Sequence, residues 1–81
     1  MPSGLRIYPN PATSTLNVEL LNNAENATIR IYSSTGALVR SANILQQQRL
    51  NQISIRDLPA GLYVINVTGK NGSRSISFTK L

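Results

Sequence analysis

The sequence has no cysteine, no histidine and no tryptophan, and only three acidic residues among its 81. Each absence removes a class of chemistry. Without cysteine there is no thiol nucleophile, no thiolate metal site, and no disulfide to offset the cost of ordering the chain, about 1–2 kcal/mol per residue for the backbone alone. Without histidine the usual general base and the commonest metal ligand are missing. The lack of disulfides favours either the cytosol or a bacterial surface protein over a disulfide-stapled secreted domain. A single domain is expected, because a chain this short has no room for two cores.

The acids are Glu19, Glu25 and Asp57. Glu19 lies in an alternating run, Glu25 in a polar loop, and Asp57 just before Leu58-Pro59-Ala60-Gly61, where a turn carboxylate accepts backbone hydrogen bonds. Catalysis by paired carboxylates needs two acids held roughly 5–10 Å apart, and nothing in the spacing pairs these. Serine and threonine are plentiful, but a hydroxyl nucleophile without histidine needs a lysine or amino-terminal base. Lys70 lies beside a turn and Lys80 beside the last residue. No Asp-rich loop offers calcium ligands, and no glycine-lysine spacing offers a phosphate loop. The expectation is a domain without catalysis, cofactor or metal.

Eight Lys and Arg residues give a net charge of +5. Arg6, Arg30, Arg40, Arg49, Arg56, Lys70, Arg74 and Lys80 are spread singly along the chain rather than clustered with stacking aromatics, so nucleic acid is not the expected partner. Only four aromatics are present, and Tyr63 and Phe78 sit in apolar-rich runs. No apolar run approaches the roughly 20 residues of a transmembrane helix. Met1-Pro2-Ser3-Gly4 lacks the basic and apolar regions of a signal peptide, so residues 1–4 read as linker and residues 5–81 as the domain. Any export signal is then expected on a parent protein that precedes it.

Period-two alternation is the dominant pattern. Leu16, Val18 and Leu20 alternate with Asn17 and Glu19; Ala27, Ile29 and Ile31 with Thr28, Arg30 and Tyr32. Asn51 to Arg56 and Ser75 to Thr79 repeat it. Each run describes a strand with one buried and one wet face. Leu62 to Val67 is apolar on both faces, which predicts a central strand covered on both sides or lying near a sheet corner. Turns fall between the runs: Pro9-Asn10-Pro11, Asn22 to Asn26, Ser33-Ser34-Thr35-Gly36, Leu58 to Gly61, and Asn71-Gly72, a strong two-residue hairpin signal. Seven strands are predicted near residues 5–8, 14–20, 27–33, 37–44, 50–56, 61–68 and 73–80. Their number and spacing predict an all-β, seven-stranded, immunoglobulin-like two-sheet sandwich. The segment Ala42 to Gln52 reads equally as edge strand, loop or crossover between sheets. The predicted inward residues are Leu16, Val18, Leu20, Ile29, Ile31, Val39, Ile53, Ile55, Leu58, Tyr63, Ile65, Val67, Ile76 and Phe78.

A small sandwich without a chemical site is most economically a recognition module, since strand edges present unpaired N–H and C=O groups to other strands. The ordered motifs point further. Ile7-Tyr8-Pro9-Asn10-Pro11 is followed by the strand Leu16 to Leu20, then by Ile29-Arg30-Ile31-Tyr32-Ser33-Ser34-Thr35-Gly36. Leu58-Pro59-Ala60-Gly61-Leu62-Tyr63 follows, and a basic alternating strand runs from Arg74 to Lys80-Leu81. This series, over residues 5–81, resembles the type A C-terminal sorting domain of the bacterial type IX (Por) secretion system. The chain departs from the family pattern in carrying Ser33-Ser34 before the glycine turn and serines in the last strand.

The resemblance implies a C-terminal domain on a larger exported parent that passes the periplasm and is directed through the outer-membrane translocon to the cell surface or medium. It also implies a sortase-like peptidase that cleaves some family members while others stay attached. The residues it singles out are Pro9, Asn10, Pro11, Gly36, Gly61, Tyr63, Lys80 and Leu81. Pro9-Asn10-Pro11 is expected to stiffen the junction or blunt an edge. Gly36 and Gly61 are expected to be structural, and Tyr63 to lie in the core with its hydroxyl at a rim. Lys80-Leu81, on an accessible strand end, is the expected point of recognition, set against a merely frayed terminus. The competing reading is an immunoglobulin-like spacer, adhesion or glycan-binding module using Tyr8 and Tyr32.

Overall fold

The computed structural model describes residues 5–20, 27–44, 50–69 and 72–81. Seven strands form in chain order: β1 (Leu5–Tyr8), β2 (Thr15–Leu20), β3 (Ala27–Ser33), β4 (Leu38–Ile44), β5 (Leu50–Ser54), β6 (Gly61–Gly69) and β7 (Gly72–Lys80). They build two antiparallel sheets, one in the order β1-β2-β5 and the other β4-β3-β6-β7. The fold is all-β, and every predicted strand is present within two residues of its expected limits. The β4–β5 connection is a crossover, since β4 and β5 belong to different sheets. The expected glutamine stretch at Gln46 to Gln48, the loop Asn22 to Asn26 with Glu25, the side chain of Leu20, and Lys70 and Asn71 of the hairpin lie outside the described residues.

Alternation converts directly into layers. Ala27, Ile29 and Ile31 of β3 are buried, as are Tyr63, Ile65 and Val67 of β6, and the pairing Ile29↔Val67 and Ile31↔Ile65 sets them side by side. Leu16, Val18 and Ile53 of the smaller sheet close over them, with Ile55, Leu58 and Phe78 completing one apolar cluster. Fully burying an aliphatic side chain of this size contributes about 1.5–3 kcal/mol. Of the predicted inward residues, Val39 and Ile76 are half-buried and pack against the cluster's margin. Leu5, Ala12 and Ile44 join the core beyond the predicted inward residues, and so does Ala27, which the alternation sets on the same face as Ile29 and Ile31. Ala12 is small enough, and far enough from any alternating run, that hydropathy alone does not mark it.

One expectation is corrected. β6 is central in its sheet, between β3 and β7, but it is not covered on both faces. Leu62 is 55% exposed and Val64 is half-buried, because the second sheet covers only the face of Tyr63, Ile65 and Val67. Among the described residues no further element stacks on the outer face of the four-stranded sheet.

A bulge between Ile31 and Tyr32 in the β3–β4 pairing opposes Ile31 to Arg40 and Tyr32 to Leu38, leaving Val39 as the extra residue. Arg40 therefore points to the inner side, where its guanidinium pairs with Asp57 and its Nε is buried without a hydrogen-bond partner among the described residues. The β3–β4 turn closes through Gly36 N–H to the Ser33 carbonyl at 2.9 Å and Ser33 N–H to the Ala37 carbonyl at 2.8 Å. Gly36 takes φ +91°, a conformation that L side chains rarely adopt.

Candidate functional site

The motifs that stand up to seventy residues apart in the sequence gather at one end of the sandwich. Ser33, at the mouth of the Gly36 turn, is the register partner of Tyr63, and Tyr63 is in turn the partner of Phe78. One step further along, Gly61 is opposite Lys80. Ala12, just after Pro11, makes a parallel bridge to Lys80. Pro9, Asn10, Pro11, Gly61, Tyr63, Lys80 and Leu81 thus belong to one neighbourhood built on the end of β7, while Gly36, in the β3–β4 turn, lies at the same end of the sheet with β6 between β3 and β7.

The Pro9-Asn10-Pro11 segment, with cis peptide bonds before both prolines, runs along the outer edge of β7. Ala12 N–H donates to the Thr79 carbonyl at 2.8 Å, and Leu81 N–H donates to the Ala12 carbonyl at 2.8 Å. Thr79 N–H donates to Oδ1 of Asn10 at 3.0 Å. In a parallel ladder with Pro11 opposite Thr79, that third bond would go to the main-chain carbonyl of residue 10; here the carboxamide of Asn10 replaces it. Ala12 is completely buried beneath this contact. Ser14 extends the tie to the other sheet by accepting from Ile55 N–H at 2.9 Å. The prolines lack N–H groups, so they can lie at an edge without leaving donors unpaired.

Tyr63 stacks on Phe78 with ring centroids 5.6 Å apart and planes 20° from parallel. Its hydroxyl donates to the Pro59 carbonyl at 2.6 Å, which fastens the Leu58–Gly61 turn to the core. Gly61 has φ +154°, a backbone that a side chain would strain. Lys80 is buried, with only its ammonium reaching the carbonyl of Leu81 at 3.0 Å. Its alkyl stem fills the end of the core, as long basic side chains do at such margins. Leu81 is 64% exposed while its N–H is held by Ala12. Of the last two residues, then, Leu81 presents its side chain outward and Lys80 does not.

Elsewhere the acids are spent on arginines. Glu19 faces Arg6 across β1 and β2 at 3.7 Å, and Asp57 meets Arg40. Among the described residues no three acidic, histidine or cysteine side chains form a metal-binding group. A shallow hollow of about 750 Å³ lies between β4 and β5, lined by Arg40, Ser41, Gln52, Ser54, Arg56 and Asp57. Tyr8 and Tyr32 sit in different sheets and make no common platform. Among the described residues no helix is long and apolar enough to cross a membrane.

These features define an immunoglobulin-like β-sandwich with its sequence motifs concentrated around a clamped terminal strand. The chain belongs to the secretion system C-terminal sorting domain family, the type IX sorting domains, whose model matches residues 6–80. It is similar to β-agarase A of Zobellia galactanivorans, at 31% identity over 65 residues, covering 80% of this chain and 12% of the agarase. Among solved structures it resembles an immunoglobulin-like β-sandwich protein of Bacteroides vulgatus from a family of unknown function, with TM-score 0.80, 25% identity, and coverage of 96% of this chain and 85% of that one. It also resembles PorZ, a surface component of the type IX secretion system of Porphyromonas gingivalis, with TM-score 0.73, 18% identity, and coverage of 96% of this chain and 11% of PorZ. The PorZ likeness concerns the fold. Family membership makes the chain a sorting signal for export to the cell surface or medium, and implies secretion machinery and a covalently attached parent on its amino-terminal side.

Proposed function

We propose that the domain carries a larger parent protein, once in the periplasm, through the type IX translocon of the outer membrane, and that the translocon reads the clamped end of β7. The family match over residues 6–80 carries this reading. The gathering of Pro9-Asn10-Pro11, Gly61 and Lys80-Leu81 at one end supports that end as the recognised surface, with Leu81 exposed upon it. A sortase-like peptidase then cleaves some parents from the domain and can join them to surface lipopolysaccharide, while others stay attached. The domain itself does no chemistry: its described acids are neutralised in arginine pairs, and the sequence supplies no histidine or cysteine.

A reporter bearing an amino-terminal signal peptide and residues 5–81 is expected to reach the surface of a type IX-competent cell. The same reporter lacking Thr79 to Leu81 is expected to remain periplasmic. Circular dichroism of the truncated domain separates lost recognition from lost folding. Normal export of the truncation would overturn recognition at the strand end.

A further inference from the structure

The four sheet edges of this sandwich are not equivalent. β1 has four residues and stops at Pro9, and β5 has five. β4 is broken by the bulge at Val39. β7 has nine residues in unbroken register with β6, from Gly72↔Gly69 to Lys80↔Gly61, and contains no proline. Long, regular edges pair readily with other strands, and native proteins blunt them with proline, bulges or charge.

At its carboxyl end the β7 edge already holds a strand segment: Asn10 and Ala12 satisfy Thr79 and Leu81. Because outward-facing main-chain groups recur every second residue, Ser77, Ser75 and Ser73 direct their N–H and C=O groups to the same side as Thr79. All three serines are exposed, and among the described residues nothing pairs with those groups. Their side chains lie on the outer face and are small and neutral, so they do not obstruct an incoming chain. On the inner side of the same stretch stand Arg74, exposed and without a carboxylate among the described residues, and Ile76, half-buried at the core margin.

We infer that the Ser73–Ser77 edge of β7 accepts an extended polypeptide as an added strand, one whose core-facing side carries an acidic residue to meet Arg74 and an aliphatic residue to extend the cover over Ile76. Three main-chain N–H and three C=O groups supply the ladder; Arg74 and Ile76 supply the preference among sequences. The net charge of +5 favours an acidic partner and disfavours a second copy of this chain, which would bring two equally charged edges together. Strand addition at this edge does not depend on the sorting role.

Amide hydrogen exchange on the uniformly labelled chain tests it. The probe is a capped seven-residue peptide with valine, glutamate and valine on one face and threonines on the other. At saturating peptide, exchange at the Ser73, Ser75 and Ser77 amides is expected to slow by about tenfold or more, while Thr79, already bonded, changes little. Ser75→Pro, which an edge strand tolerates where its N–H faces solvent, is expected to abolish the slowing at Ser73 and Ser77; Ser75→Ala is expected to leave it intact. Arg74→Glu is expected to weaken the glutamate peptide and to restore binding with lysine in its place. Slowing at β5 amides instead, no slowing at the three serines, or indifference to the Arg74 reversal would overturn the inference. Protection of the same amides without peptide, rising with protein concentration, would assign the edge to a second copy and likewise overturn it.

Discussion

Asn10 acts as a piece of main chain. Its carboxamide stands where a parallel ladder would place a backbone carbonyl, and it holds Thr79 N–H at 3.0 Å. Asn10→Leu removes that acceptor and is expected to lower stability by about 0.5–1.5 kcal/mol, the usual net value of one hydrogen bond. Thr79 amide exchange should accelerate with it, and Asn10→Asp, which keeps an acceptor oxygen, should hold the protection. Urea midpoints and exchange rates together check this. Tyr63→Phe removes the hydroxyl that fastens the turn at Pro59 while leaving the ring stacked on Phe78. A loss of similar size, about 1 kcal/mol, is expected by the same measure. Arg6→Ala, by contrast, breaks an exposed pair at 3.7 Å and should cost no more than about 1 kcal/mol. The role of Tyr63 was legible in the sequence because a lone tyrosine in an apolar run needs an outlet for its hydroxyl. That of Asn10 was not, because its partner lies 69 positions away.

β6 shows how element and environment differ. Its sequence is apolar on both faces, yet only Tyr63, Ile65 and Val67 are covered. Ile65→Asp puts an unpaired charge at a fully buried site and is expected to abolish folding, seen as loss of the β signal in circular dichroism and of dispersed amide resonances. Leu62→Thr, on the wet face of the same strand, is expected to shift stability by only about 0.5 kcal/mol. Equal damage from the two changes would contradict the one-sided burial. The strands themselves were readable because alternation and turn residues are local signals. The bulge that turns Arg40 inward was not, since one extra residue at Val39 becomes visible only against the pairing of β3.

In the whole molecule, both sheets contribute to one apolar cluster, and the Ala12 and Ser14 contacts tie the β1–β2 connection to β7 and to the end of β5. A domain joined this way is expected to unfold in one cooperative transition, with circular dichroism and tyrosine fluorescence giving coincident urea curves. The clamp also links the chain entering the domain to the strand that ends it. Asn10→Leu in an export reporter is therefore expected to reduce surface delivery more than Tyr63→Phe does, although their stability losses are alike. Equal delivery by the two variants would separate the clamp from the sorting role.

Local periodicity and punctuation determined seven strands, their limits and most of the core, because a side chain's alternation between water and interior is written into neighbouring positions. The missing histidine and cysteine likewise settled what chemistry the residues could not supply. Order within the sheets, the single covered face of β6 and the union of Pro9-Asn10-Pro11 with Thr79 to Leu81 were decided only in three dimensions. They depend on which distant main-chain groups satisfy one another, and no local pattern of side chains encodes that choice.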